Sequence, residues 1–162
     1  MSTNIASKST FYTDANGRQT LERVLDQRVS YPYTVTEPVA ANYYPVNSHI
    51  YVKDAAGNQM TMLVDRSQGG ASLKDGEIEL MVHRRCLYDD AFGVDEALDE
   101  KAFGTGLVVR GTHYLVLSGK DNSMKLVRSL SQELYKQPQI SFIPTQLSFN
   151  DWVANYKTQV YA

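Results

Sequence analysis

Two charged pairs lie close together near the end of the segment DRSQGGASLKDGEIELMVHRRCLYDD, which runs from Asp65 to Asp90. The basic pair is Arg84-Arg85 and the acidic pair is Asp89-Asp90. Guanidinium groups bind carboxylates and phosphates through paired hydrogen bonds, and carboxylates can act as acids, bases or nucleophiles. The four side chains could therefore hold one another as an ion-pair cluster, or they could form part of a polar contact site.

The same residue types fit a complete catalytic centre poorly. The two carboxyls of a glycosidase lie about 5–10 Å apart on opposite sides of a sugar, an arrangement that adjacent aspartates on one loop rarely supply. His49, His83 and His113 are widely separated and lack partners at metal-ligand spacing, which favours histidines in strands or turns over a zinc site. We therefore assign no catalytic residue, no metal ligand and no cofactor to this chain. The substrate or interdomain candidates are Arg84, Arg85, Asp89 and Asp90.

The alternation in Glu77–Val82 predicts how the candidate residues face. Apolar and acidic side chains alternate in this segment, as in a strand with one buried face. Continuing the alternation places Arg84 on the apolar face and Arg85 on the acidic face. A buried guanidinium needs a carboxylate, so we expect Arg84 to form a partly buried ion pair with Asp89 or Asp90. A polar contact with a catalytic domain remains the alternative interpretation of the cluster.

The rest of the chain predicts a mainly β, antiparallel fold. Eleven tyrosines and many threonines and valines favour strands. Ile50–Lys53 and Gln59–Val64 flank a turn at Asp54–Asn58 and predict a hairpin. Gly69-Gly70 predicts a tight turn with positive φ. The leucine spacing predicts one helix at Ser123–Lys136.

Composition limits the class of protein. The chain has 162 residues, enough for one domain with a core, and a formal net charge of −2 that argues against nucleic-acid binding. No stretch approaches the roughly 20 apolar residues of a membrane span. Its single cysteine, Cys86, excludes an internal disulfide framework. We predict a flexible polar segment at residues 1–10 and one β-sandwich domain at residues 11–162.

Three segments give a more specific indication. FYTDANGRQ (Phe11–Gln19), ANYYPVNSHIYVKD (Ala41–Asp54) and the segment Asp65–Asp90 together resemble the lysosomal-type alpha-mannosidases of glycoside hydrolase family 38, in both order and spacing. The resemblance is clear from Phe11 to Val116 and fades past Pro144.

The resemblance implies a fold and a function. It implies a piece of a large antiparallel sandwich similar to the galactose mutarotase fold, in the C-terminal half of a retaining enzyme that hydrolyses terminal alpha-linked mannose from glycans. The nucleophile and the zinc ligands of such enzymes belong to an N-terminal catalytic domain, which we expect to be missing here and to be the partner of this domain. The fragment's own localisation stays unknown; a lysosomal, vacuolar or secretory parent is implied.

Two points leave alternatives open. Relatives commonly carry arginine near the substrate site where this chain has Phe92, and phenylalanine cannot make the polar contacts of a guanidinium. A stand-alone carbohydrate-binding or protein-interaction domain is the alternative function, because exposed aromatic rings can stack on sugars. The candidates for stacking are Tyr43, Tyr44, Tyr88 and Trp152. A domain without its partner would also expose strand edges and could self-associate.

Overall fold

The computed structural model describes residues 1–138, 140, 142, 144 and 146–156. Residues 157–162 of the predicted sandwich domain lie outside them. The ten strands are β1 Thr10–Ala15, β2 Gln19–Val24, β3 Tyr44–Val46, β4 His49–Lys53, β5 Asn58–Val64, β6 Gln68–Ala71, β7 Glu79–Met81, β8 Lys101–Ala102, β9 Thr105–Gly106 and β10 His113–Gly119. Two α-helices follow, α1 at Lys120–Tyr135 and α2 at Phe149–Asn155, and Ala40–Asn42 forms a short 3-10 helix.

A five-stranded antiparallel sheet forms the centre of the fold, in the order β10-β5-β4-β1-β2. The predicted hairpin is confirmed as β4 and β5, and its turn is closed by the Asp54 carboxylate, which accepts hydrogen bonds from the Asn58 backbone and side chain. The β1–β2 turn contains Asn16 and Gly17, both with positive φ. The mainly β, antiparallel prediction is therefore confirmed.

The second sheet has three strands, in the order β3-β6-β7, and it covers one face of the first. The core between the sheets contains fully buried side chains from both. They are Phe11, Val46, Ile50, Val52, Met60, Met62, Val64 and Ile78. This two-layer packing agrees with the predicted sandwich, because each strand contributes alternate residues to the shared core.

Gly70 lies in the middle of β6 and not in a turn, so the predicted tight turn at Gly69-Gly70 is wrong. Neither glycine has a positive φ. A Cβ atom at position 70 would lie 2.6 Å from Val46 Cγ2 and 3.1 Å from both Ile50 Cδ1 and Leu80 Cδ2. Glycine is required here because the core side chains approach the backbone closely.

The opposite face of the five-stranded sheet is covered in part by α1. Val127 and Leu134 of the helix pack with Leu63 and Val116 of the sheet in a second buried cluster. The predicted helix is thus confirmed, although it begins at Lys120. The prediction of a single helix is wrong, because α2 follows with Ser148 as its N-cap, whose hydroxyl accepts a hydrogen bond from the Asp151 amide.

Residues 1–10, predicted to be flexible, lie against the turn before β7. Ser2 forms a β-bridge with Glu77, and the Asp75 carboxylate accepts hydrogen bonds from the Lys8 and Ser9 amides. The flexibility of this segment stays a prediction. Motion of the segment away from the turn would break these contacts.

Among the described residues, no helix is both long and apolar enough to span a membrane.

Candidate functional site

The four predicted site residues all lie on one long connection, residues 82–112, which joins β7 to β10. Strand β7 ends at Met81, since it pairs only with Gly69–Ala71 of β6. The predicted facing holds as far as the strand does: Ile78 is buried and Glu79 is exposed. It fails at Val82, which is 53% exposed.

The expected buried ion pair of Arg84 with Asp89 or Asp90 is therefore wrong. Arg84 is exposed. The strand whose apolar face it was expected to continue ends at Met81, three residues earlier. Asp89 and Asp90 accept hydrogen bonds from the Ala91 and Phe92 amides, which shape the local turn. Aspartate carboxylates commonly bond the backbone two residues later, and this local use needs no arginine.

Arg85 forms an ion pair that the sequence did not indicate. Its Nε lies 2.5 Å from Oδ1 of Asp99, and the two side chains are 58% and 39% exposed. This contact brings the start of the connection, at Arg85, against its middle, at Asp99. A hydrogen bond from the Cys86 amide to the Ala97 carbonyl lies beside it. Solvent screening at this exposure keeps its contribution to stability small.

We expect Arg84→Ala and Arg85→Ala each to lower the free energy of unfolding of this chain by less than about 1 kcal/mol, since neither guanidinium is buried. Urea unfolding of both variants beside the unmodified chain is the measurement. A loss several times larger for Arg84→Ala would restore the buried ion pair and contradict the exposed placement described above.

The same connection presents apolar side chains to solvent. Leu87, Tyr88, Phe92, Val94 and Phe103 are each more than four-fifths exposed. An apolar side chain costs free energy where it faces water, so a group of them on one segment marks a surface that another part of a protein covers. The position of the four charged candidates among these side chains favours a contact role over a role in the fold.

The connection is tied to the sheet where it ends. The Asp65 carboxylate, directly after β5, accepts hydrogen bonds from the Arg66 side chain and from the Thr112 amide at 2.7 Å, while Arg66 also bonds the Arg110 carbonyl. The hydrogen bonds from Arg66 lower the pKa of Asp65 to about 2, against the opposing effect of burial. The Asp65 carboxylate is thus charged at all but strongly acidic pH.

A second polar cluster, centred on Asp14, was not identified from the sequence. Its side chain is 2% exposed and binds four backbone amides across two turns. Oδ2 accepts from Gly17 at 2.6 Å, and Oδ1 accepts from Asn47, Ser48 and His49 at 2.9, 2.8 and 3.1 Å. Burial raises the pKa of Asp14, but the hydrogen bonds outweigh it and hold the pKa below its usual value. The carboxylate joins the β1–β2 turn to the start of β4.

Two neighbouring side chains extend this cluster. The Ser48 hydroxyl lies 2.9 Å from Nδ1 of His49. His49 is 5% exposed, and its Nε2 atom has no hydrogen-bond partner among the residues that the structure describes. Burial lowers the pKa of His49, although the nearby Asp14 charge opposes this effect, so the ring is neutral at neutral pH. Apart from the position of His49 at the start of a strand, no pattern in the sequence indicates this buried placement.

A groove of about 760 Å³ lies beside the cluster, between α1 and the β1–β2 turn. Asn47, Ser48 and His49 line it from the sheet, and Val127 and Tyr135 line it from the helix. Three cationic side chains also line it: Arg18, Arg128 and Lys136. No carboxylate side chain is found among the described residues that line this groove.

The aromatic candidates for sugar stacking are not assembled into one platform. Tyr44 packs edge-on against Phe11 beside the core, while Tyr43 bonds the Glu79 carboxylate. Tyr88 is exposed on the connection, and Trp152 stacks on a tyrosine of α2's end. Within the described part of the chain, no group of three or more histidine, cysteine or acidic side chains could hold a metal ion.

Comparison with known proteins places this fold and its connection in a family. The sequence model of the glycosyl hydrolases family 38 C-terminal domain matches residues 1–92, which include strands β1 to β7 and the start of the long connection. The chain belongs to glycosyl hydrolase family 38. The matched region contains the Asp14 cluster and all four charged candidates.

Individual relatives of family 38 agree with this assignment. An alpha-mannosidase of Canavalia ensiformis is 44% identical over 168 residues, which covers 100% of this chain and 17% of the relative. The lysosomal alpha-mannosidase of Bos taurus is 50% identical over 139 residues, or 85% of this chain and 14% of the relative. A probable alpha-mannosidase of Arabidopsis thaliana is 40% identical over 166 residues, or 100% of this chain and 16% of the relative. The chain thus spans about a sixth of the length of these proteins.

Proposed function

We propose that this chain is a C-terminal accessory β-domain of an alpha-mannosidase, and that it supports a catalytic centre located on another domain. The observation that carries the proposal is its similarity, over most of its length, to a small part of several alpha-mannosidases. The full-length protein would hydrolyse terminal alpha-linked mannose of glycans, with retention of configuration. The similarity to the lysosomal alpha-mannosidase of Bos taurus and to a plant alpha-mannosidase supports a lysosomal or vacuolar location for that protein.

The exposed connection is the part of the domain that we assign to the catalytic partner. Its apolar side chains would pack against the neighbouring domain, and its charged side chains would contact that domain or the substrate. We propose this role for Arg84, Arg85, Asp89 and Asp90. It is supported by the exposure of Arg84, Arg85 and Asp90, and by the lack of a contact for the Arg84 guanidinium within the described fold. The side chain of Phe92, which is exposed on the same segment, would contribute an apolar contact.

Zinc does not fit the described residues, which provide no cluster of three metal-binding side chains. We assign the metal, like the nucleophile, to the catalytic domain of the full-length protein. No chemical step is therefore assigned to a side chain of this chain.

A chimera tests the proposal directly. Residues 1–162 would replace the matched region of the Canavalia ensiformis alpha-mannosidase, and turnover of an aryl alpha-mannoside would be measured for the chimera and for the isolated chain. We expect an active chimera and an inactive isolated chain. Turnover by the isolated chain, or a folded chimera without any activity, would contradict the proposal.

Within the chimera, the contact role predicts an effect that the isolated domain does not show. Arg84→Ala should lower kcat/KM while leaving the thermal unfolding of the chimera unchanged. Lys125→Ala, an exposed cation on α1 away from the connection, is the matched control. Equal activity of both variants would remove Arg84 from the proposed contact.

The isolated domain should also self-associate through β10, an edge strand of the large sheet. Leu115 and Leu117, 42% and 63% exposed, lie on the sheet face that carries their partners Met62 and Met60, and between His113 and Gly119 there is no charged residue to oppose pairing. The opposite edge, β2, carries Glu22 and Arg23. Sedimentation velocity should show concentration-dependent dimers that Leu117→Lys abolishes and Thr20→Lys on β2 leaves intact. Dimers that persist in Leu117→Lys would place the interface elsewhere.

A further inference from the structure

The turn between β1 and β2 contains the one Asn-Gly pair of the sequence, Asn16-Gly17. The side chain of an asparagine can be attacked by the main-chain nitrogen of the residue that follows it. In that reaction the bond from the nitrogen to Cγ forms, the bond from Cγ to Nδ2 breaks, and ammonia leaves. Water then opens the resulting succinimide ring to aspartate or isoaspartate. Glycine at the second position favours the attack because it has no Cβ atom in the way.

The folded turn holds both reacting groups of this pair in other contacts. The Gly17 amide donates a hydrogen bond of 2.6 Å to Oδ2 of Asp14, whose side chain is buried. The attacking nitrogen must give up its proton, and a negative charge beside it opposes that loss. The Asn16 side chain is held as well, since its Oδ1 accepts a hydrogen bond of 2.8 Å from Nδ2 of Asn47. Water reaches the exposed pair, so these contacts and not burial restrain the reaction.

The same carboxylate restrains a second pair, Asn47-Ser48. The Ser48 amide is the nitrogen that would attack Asn47, and it donates a hydrogen bond of 2.8 Å to Oδ1 of Asp14. The two oxygens of one carboxylate thus bind the attacking nitrogens of two asparagines that are 31 residues apart in the sequence. Of the two pairs, Asn16-Gly17 is the more reactive, because serine carries a Cβ atom and glycine does not.

We propose that Asn16 is a deamidation site controlled by Asp14. The asparagine stays intact while the β1–β2 turn is closed on this carboxylate, and it is converted when the turn opens. Turns open locally at a lower free-energy cost than the whole domain, so the conversion takes place in a chain that is otherwise folded. The isoaspartate product has one more carbon atom in its main chain, so the turn cannot close on Asp14 with its former geometry. The proposal does not depend on the proposed function.

The test is incubation of the chain at mildly alkaline pH, followed by mass spectrometry of its peptides to measure the conversion of Asn16. We expect the folded chain to convert Asn16 about tenfold more slowly than the chain unfolded in urea, or more slowly still, the effect of at least one charged hydrogen bond. Asp14→Asn keeps the size of the side chain but replaces one accepting oxygen with a donor. This variant should convert Asn16 about tenfold faster than the unmodified folded chain.

Met60→Ala is the matched control, because Met60 is buried in the core and pairs with Val52, at the end of β4 away from His49. The rates of the two variants are compared at urea concentrations that give both the same unfolded fraction, so that an excess in Asp14→Asn comes from the turn. Equal conversion of Asn16 in the two variants would overturn the proposal. Conversion in the folded unmodified chain as fast as in the unfolded chain would overturn it too.

Hydrogen exchange of the unmodified chain provides a second measurement that needs no variant. The Gly17 amide should exchange through a local opening whose rate does not rise with low concentrations of urea, and the conversion of Asn16 should show the same independence of urea. Exchange of the Gly17 amide only together with the amides of the core strands would contradict local control by the turn.

Discussion

Asp14→Ala should destabilise this chain by roughly 3–5 kcal/mol, because four backbone amides lose a buried charged acceptor at once. The four amides belong to two turns that are about thirty residues apart in sequence, and the substituted alanine offers neither turn a replacement. Urea unfolding monitored by circular dichroism measures the loss. Asp54→Ala, which removes an exposed carboxylate from the β4–β5 turn, is the control and should have a much smaller effect.

The same carboxylate predicts how stability depends on pH. Its pKa is lower in the folded chain than the usual value of 3.8, so the unfolded chain takes up the proton more readily. The stabilisation from Asp14 is therefore complete above that usual value and is lost as the pH falls through the folded pKa. Asp14→Asn should flatten this acid limb of the stability profile. An unchanged slope in Asp14→Asn would show that other carboxylates determine it.

Gly70→Val should be the other severe substitution, with a cost of about 3 kcal/mol or failure to fold. Even a single added carbon would lie 2.6 Å from Cγ2 of Val46 and 3.1 Å from Cδ1 of Ile50, and because both side chains are fully buried, a shift of either disturbs the core around it. Gly70→Ala isolates that first carbon and should cost roughly 1–3 kcal/mol. Thermal unfolding of both variants is the measurement.

Gly69→Ala is the matched control for this pair of variants. An added carbon there would lie 3.3 Å from the ring of Tyr43, a side chain at the surface of the sheet that can turn aside. If Gly69→Ala lowers the stability of the chain as much as Gly70→Ala does, the requirement for glycine comes from the conformational freedom of the backbone and not from contact with the core.

These two sites show which features local sequence can and cannot reveal. The β4–β5 hairpin was predictable because its alternation and its Asp-to-Asn turn lie within sixteen residues of chain. The role of Gly70 depends on Val46 and Leu80, which only the folded sheets bring to it. The helix α1 was predictable from its leucine spacing for the same local reason as the hairpin.

The facing of the candidate site residues was predicted only in part. The sequence located the charged residues correctly in one segment, but it could not show where β7 ends, because a strand extends only as far as its partner accepts it. Arg84 was therefore assigned to a buried face that does not reach it. The Asp14 cluster and His49 were missed since their partners are backbone amides and a neighbouring hydroxyl, which leave no pattern in the order of residues.

The placement of residues 82–112 has a consequence for how family members can differ. Both ends of this connection are fixed, at β7 and at the Asp65 contact with Thr112, while its interior contributes no residue to either buried cluster. The entropy cost of closing a loop grows only with the logarithm of its length, so doubling the connection would cost about 0.6 kcal/mol. Insertions and changes of composition are thus tolerated here at almost no cost to folding. The segment can diversify for new partners while the two sheets that carry it stay the same.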